Sequence, residues 1–430
     1  MQGTGSDSGV RGRDEERAGF GYSWPPQTAG HRNGGHMLLW IGFSLSVVLL
    51  LFVSRRNLAL GMAIAAAVLA AFTLSPASFG EALWVTISDP SVLLLALVVG
   101  LIPLIGGAME TSGEMERLVS NLRIGVRPFL AFAPALLGML PMPGGALLSA
   151  PLIERGAGHT SPDVKAAANV WFRHALLLIY PLGPALIASA KIANLDVYTA
   201  IPYLVPAFLL TIGTGYLFLL RRASGRLSQS GAFSLVGLLV PLGIILAAPL
   251  LDLLLKGIVD LPVSEIGTSV GVFVSLVAAM AVGRLKVRQL GAIARRMTPW
   301  KYALIVLAMF AFLNVFTASG VPERIGAMTL PPVILCVVIG AVLGAITGRI
   351  QAPMSIVVPI YVSTYGAMSA PLFALTYFAV FLGYILTPIH PCISVSVEYF
   401  KTSMGPFLKR LAAPAAIGLV ASLVVGLFVV

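Results

Sequence analysis

The chain has 430 residues, 58% of them hydrophobic and only 10% charged, with a mean hydropathy of +0.94 and a net charge of +11. A soluble domain carries about 25% charged residues, so the composition excludes that class and indicates a polytopic membrane protein. The basic excess sits in short loops between apolar segments, where it reports orientation in the bilayer and does not call for a nucleic-acid partner.

Residues 1–36 hold Arg11, Arg13, Arg17 and Arg32, the acids Asp7, Asp14, Glu15 and Glu16, many glycines and almost no aliphatic side chains. That is the composition of a disordered tail. It lacks the apolar core and cleavage site of a signal peptide, and Met37, which opens the first apolar run, is the expected start of translation. A span needs about 20 largely apolar residues, which places spans near 37–53, 58–74 and 90–105 and a polar, interfacial stretch over 110–123. The apolar stretch 128–153 is punctuated by PMPGG at 141–145. Its arms, about 13 and 8 residues, are each too short to cross, which predicts a helical hairpin that enters the membrane and returns. Segment 161–192 is interrupted by PLGP at 181–184, and a plain span at 198–220 follows.

The second half repeats this order. Plain spans fall near 233–251, 266–283 and 302–316, then come a polar stretch at 322–324, an apolar stretch at 331–365 broken by GRIQAPMS, a segment at 370–400 broken by PIHP, and a last span at 411–430. SGEMERL at 112–118 matches SGVPERI at 319–325, and PLGPALIAS at 181–189 lies over PIHPCISVS at 388–396, both at an offset of 207. The shared offset predicts a duplication, with one repeat over 37–221 and the second over 222–430.

If the hairpins do not cross, each repeat holds an odd number of crossings, about ten in all, and the second repeat is inverted relative to the first. Charge tests this separately. Of the 22 Lys and Arg in loops or at span ends, 19 fall on one side of this topology and only Lys191, Lys256 and Arg324 on the other. The crowded side is cytoplasmic by the positive-inside rule, which puts both termini outside a plasma (inner) membrane. The expected fold class is therefore an all-α inverted-repeat secondary-transporter fold with two re-entrant hairpins and two broken helices.

Irregular backbone at membrane depth is tolerated only where protein or a watery cavity satisfies it, and inverted repeats interrupted by Gly and Pro point to a transporter site at the midplane. Helix ends there present free N–H groups and positive dipole ends, which suit an anion. The ionisable side chains agree in sign: Arg173, His174, Arg349 and His390 stand against one clear acid, Glu398. Intramembrane ionisable groups are functional candidates because their burial is expensive, so the expected substrate is a small anion. Arg173 also has two carboxylates, Glu154 and Glu398, as alternative partners. Gly144 and Gly145 permit close backbone approach at a hairpin tip. Ser149, Asn169, Gln351, Ser355, Thr387 and Ser394 can hydrogen-bond a substrate, while Glu398, His390 and Ser396 are the candidates for a coupling ion or proton. Cys336 and Cys392 have neither a disulfide framework nor metal-ligand spacing, so no cofactor or metal is expected beyond Na⁺ or H⁺ as coupling ion.

The segments LPMPGGALLSAPLIE, NVWFRH, and HPC followed by VEYF resemble the signature segments of the integral membrane family catalogued as domain of unknown function 401, over essentially everything from Met37 onward. That family is grouped with the ion transporter superfamily, which includes citrate, dicarboxylate and gluconate carriers. The resemblance implies the inverted-repeat fold, commonly a homodimer, and elevator-type movement of a transport unit past a scaffold. The hairpin tips of the better-known carboxylate carriers carry Ser-Asn-Thr, and neither PMPGG nor QAPMS does. An exporter or exchanger of the same anions fits the pattern too. A membrane-embedded enzyme acting on a lipid-linked substrate, with His390 and Glu398 as acid and base, lacks a nucleophile and base at close spacing. The topology makes a direct prediction. Cysteines introduced one at a time at Arg288 and Asp260 react with impermeant reagents from opposite sides of the membrane, and labelling from the same side contradicts the inverted arrangement.

Overall fold

The computed structural model describes residues 36–142, 145–157, 160–221, 223, 232–328 and 330–429. The expected polar tail, His36 apart, and Gly144 lie outside them. Every described element is helical. In the first half α1 (His36–Val53), α2 (Leu58–Thr73), α3 (Pro76–Ser88) and α4 (Pro90–Thr111) lead through the short α5 (Glu114–Ser120) to the hairpin arms α6 (Val126–Gly138) and α7 (Gly145–Ala157). The split pair α8 (Pro162–Ala175) and α9 (Pro184–Ile192) follows, then α10 (Val197–Gly215), which continues as a π-helical stretch Tyr216–Leu220.

The second half runs α11 (Leu235–Ile258), α12 (Glu265–Val282), α13 (Val287–Met297), α14 (Pro299–Ala318) and α15 (Val321–Gly326). A π-helical stretch Ile334–Ile339 and α16 (Gly340–Thr347) form one hairpin arm and α17 (Gln351–Tyr365) the other. The split pair α18 (Ala370–Leu386) and α19 (Pro391–Tyr399) and the terminal α20 (Met404–Val429) complete the chain. Seven of these helical stretches are long and apolar enough to cross a bilayer. Outward-facing Leu250, Leu253 and Leu254 on α11 and Leu427 and Phe428 on α20 are exposed, as lipid-facing positions of a polytopic membrane protein are.

The helix breaks follow from proline. The residue before a proline is forced out of the helical region: Thr387, ahead of Pro388, is extended at φ −94°, ψ 134° and ends α18. Pro391 then takes the first position of α19, where its missing N–H would have had no partner in any case. Pro184 opens α9 in the same way after Gly183. In the second hairpin Gly348 closes α16 in the left-handed conformation at φ +60°, which only glycine adopts without strain.

Element boundaries recur at the offset seen in sequence. The pairs α2 and α12, α5 and α15, α9 and α19, and α10 and α20 each begin 207 residues apart. The left-handed residues recur with them: Gly113 with Gly320, and Asn194 with Lys401. Several expectations need correction. The second arm of the first hairpin, α7, runs on to Ala157 and has 13 residues, as many as α6. The region near 110–123 is a continuation of α4 to Thr111 followed by α5, whose Glu114 and Met115 are buried. Helices α3 and α13 had no place among the expected spans.

Contacts divide the helices into two groups. α1 to α4 and α11 to α14 pack chiefly on one another, whereas α6 to α10 and α16 to α20 pack chiefly among themselves. α17 also touches α14 of the first group, and the short α15. All four helix breaks therefore belong to the second group, and the first group presents α2 and α14 to them.

Candidate functional site

The breaks converge on one cavity of about 320 Å³. The end of α6 and the start of α7 contribute Gly138 and Gly145, the first split helix Arg173, His174 and Gly183, the second hairpin Gly348, Arg349 and Gln351, and the second split helix Tyr384, His390 and Cys392. Leu58 of α2 and Tyr302 and Ile305 of α14 close it from the other group. The N-terminal ends of α7, α9, α17 and α19 border the same space, so four positive helix-dipole ends meet there.

Arg173 sits in the last turn of α8 and is only 5% exposed. Its position depends on two glycines. A Cβ on Gly145 would overlap its Nη2, and a Cβ on Gly138 would overlap its carbonyl oxygen. The hairpin can therefore close on Arg173 only because both positions lack side chains. Neither alternative carboxylate reaches it: Glu154 bonds Lys165 at 2.8 Å and 3.0 Å, and Glu398 is exposed at the far end of α19. Arg349 is half-buried in the turn between α16 and α17, where the Thr347 hydroxyl accepts its backbone N–H at 3.3 Å. Among the described residues neither guanidinium forms an ion pair, and no carboxylate lines the cavity.

His174 and His390 approach to 4.6 Å between ring centroids, although α8 and α19 belong to different halves. Nδ1 of His174 lies 2.6 Å from the Val170 carbonyl oxygen. A carbonyl only accepts, so Nδ1 carries the hydrogen and Nε2 is left facing outward. Nε2 of His390 lies 3.0 Å from the Tyr384 hydroxyl, and the Tyr384 ring stacks on the imidazole at 4.2 Å. Among the described residues Nδ1 of His390 is buried with no partner, as is the Tyr377 hydroxyl on the cavity wall. Buried polar atoms of this kind are costly unless a ligand or water completes them.

Of the residues expected from sequence, Gly145, Arg173, His174, Arg349, Gln351 and His390 line the cavity. Ser149, Asn169 and Ser396 lie behind it as a buried support. Ser149 Oγ donates to Asn169 Oδ1 at 2.6 Å, and Asn169 Nδ2 donates to the Ala146 carbonyl at 3.2 Å and to Ser396 Oγ at 3.0 Å. This network ties α7, α8 and α19 together, one element from each side of the site. The remaining candidates are elsewhere. Ser355 donates to the Ala352 carbonyl at 2.9 Å, Thr387 accepts from Ile389 N at 3.4 Å, and exposed Ser394 faces the Pro388 carbonyl at 3.4 Å. Glu398 is also outside the cavity. Residues missed in sequence are Tyr302, Tyr377, Tyr384 and Cys392. The tyrosines lie within apolar helices where nothing local marks them, and only the run from Tyr384 to Cys392 across the PIHP break carried a signal.

The support network generates a prediction. Asn169→Ala removes three hydrogen bonds and leaves buried partners unsatisfied, which costs about 1–3 kcal/mol. Detergent-purified Asn169→Ala melts at a lower temperature than wild type, and an unchanged melting curve contradicts the network's role.

The comparisons with known proteins give one result. No curated protein matches the chain. A family model described as protein of unknown function (DUF401) matches residues 36–430. With nearly the whole chain covered, from the first residue of α1 to the end of α20, the protein belongs to the DUF401 family.

Proposed function

We propose that this protein is a secondary active transporter of a small organic anion. One observation carries the reading: two guanidiniums, Arg173 and Arg349, face a cavity at the meeting of four helix breaks, and among the described residues neither has a carboxylate partner. A buried cation without a counter-ion is strongly unfavourable, and a bound carboxylate supplies what is missing. Leu140, Met142, Leu177, Ile305 and Val395 form much of the remaining wall, which suits an anion with a compact apolar body. Na⁺ or H⁺ drives the movement, with the carriers grouped with the ion transporter superfamily as the model.

Uptake by proteoliposomes tests the reading. Under an imposed Na⁺ or H⁺ gradient, carboxylates accumulate. Arg173→Gln or Arg349→Gln lowers that uptake about tenfold or more, the value of one charge-assisted hydrogen bond of about 1.5–3 kcal/mol. Movement of neutral or cationic solutes with no anion moved under any gradient contradicts it.

On this reading the group containing the breaks shifts past the group containing α4, α12 and α14, and the two inverted repeats exchange conformations as it does so. The ends of the split helices support this. Lys191, in the last turn of α9, pairs with Glu265, in the first turn of α12, at 3.0 Å with both side chains largely buried. The equivalent of Lys191 at the offset of 207 is Glu398. The equivalent of Glu265 is Leu58, just after Arg55 and Arg56. Glu398 sits near the C-terminal end of α19, where the helix dipole disfavours an acid, and among the described residues neither it nor the two arginines forms an ion pair. In the opposite state, Lys191 leaves Glu265 and Glu398 meets Arg55 or Arg56. Lys191→Glu slows transport, and adding Glu265→Lys restores it; Glu398→Gln slows transport without weakening anion binding. Wild-type transport by Glu398→Gln contradicts the exchange.

A further inference from the structure

The cavity contains a second arrangement that anion recognition does not use. Ligand atoms of His174, His390 and Cys392 all lie within 4.8 Å of one another. The two histidines are 3% and 2% exposed, and all three residues line the cavity. Each imidazole has one nitrogen already committed, His174 Nδ1 to the Val170 carbonyl and His390 Nε2 to the Tyr384 hydroxyl. This is how metal-binding histidines are oriented, with the outer nitrogen hydrogen-bonded and the inner one free. The free nitrogen of His390 is the buried, unpartnered Nδ1.

We propose that His174 Nε2, His390 Nδ1 and Cys392 Sγ form a binding site for a thiophilic d¹⁰ metal ion, Zn²⁺ or Cu⁺. Two imidazoles and a thiolate are the donors those ions prefer, while the lack of a nearby carboxylate among the described residues disfavours Ca²⁺, Mg²⁺ and Na⁺. Bonds of about 2.0–2.3 Å from nitrogen and sulfur to the ion require the ligand atoms to draw together by about 1 Å, within reach of side-chain rotation. The thiolate that forms as the ion displaces the Cys392 proton offsets part of the ion's charge beside Arg173 and Arg349. Arg173 lies beside that sulfur. Three protein ligands leave an open coordination position, and on the transport reading above the anionic group of the substrate occupies it, held by the two guanidiniums.

Full-length protein, purified in detergent and stripped with chelator, is titrated with Zn²⁺ and, anaerobically, with Cu⁺ against competing indicators, and with Co²⁺ as a spectroscopic stand-in for Zn²⁺. The site predicts about one equivalent bound and, with Co²⁺, a thiolate-to-metal charge-transfer band. Cys392→Ser abolishes the band and His174→Gln weakens binding at least about tenfold. Replacing the other three histidines, His31, His36 and His159, with Asn leaves both unchanged. Cys336→Ser retains the band and serves as the folded control for loss of a buried thiol. No binding of either ion, or binding that survives Cys392→Ser and disappears with the other three histidines, overturns the proposal. The two readings fail separately: stoichiometric metal binding with no anion moved refutes transport alone, and anion transport by protein that binds neither ion refutes the metal site alone.

Discussion

The backbone at the four helix breaks must be satisfied in an interior that offers no bulk water. Proline and glycine stop the helical ladder at Met139, Ile179, Gly348 and Thr387, and the free N–H groups and carbonyls that result are tolerated at membrane depth only around a polar cavity. The rest of the structure follows from that constraint. The breaks have to be neighbours, so two hairpins and two split helices pack into one group. The straight helices of the other group can then pass beside them and close the cavity with Leu58, Tyr302 and Ile305.

Charge places a second demand on the same cavity. Four helix N-terminal ends and two guanidiniums point one way electrostatically, and the buried network of Ser149, Asn169 and Ser396 adds rigidity without adding charge. The two absent side chains matter as much as those present. Arg173 is held under Gly138 and Gly145, and a methyl group at either position would displace the guanidinium or its backbone. On the transport reading proposed above, the site is preorganised for a ligand that carries negative charge, and that ligand offsets the cost of holding Arg173 and Arg349 without counter-ions.

The breaks, both hairpins and the offset of 207 were legible in the sequence because proline and glycine act on the residues beside them. α13 was hidden by its charge. Arg288, Arg295 and Arg296 read as a basic loop, although Ile293 and Met297, four residues apart and buried, carried the helical period. α3 is 13 residues long with polar residues through it, too short and too mixed for a rule built on spans. In the site, ionisable residues were informative and hydroxyls were not. A serine in an apolar segment commonly bonds the carbonyl of the preceding turn, as Ser355 does, and nothing in sequence separates that state from ligand binding. Cys392 and Tyr384 are at home in an apolar helix, so only the folding of α8 against α18 and α19 reveals that they face His174.

Anion recognition by Arg173 and Arg349 is the claim on which the functional account turns, and equilibrium binding to the detergent-purified protein tests it without gradients or turnover. Calorimetric titration of wild type and of the double variant Arg173→Gln/Arg349→Gln with carboxylates, and with their amides as neutral isosteres, separates charge recognition from cavity filling. The account predicts saturable carboxylate binding that weakens as salt rises and is lost in the double variant, with the amides not binding. Equal affinity for a carboxylate and its amide, unchanged in the double variant, contradicts it.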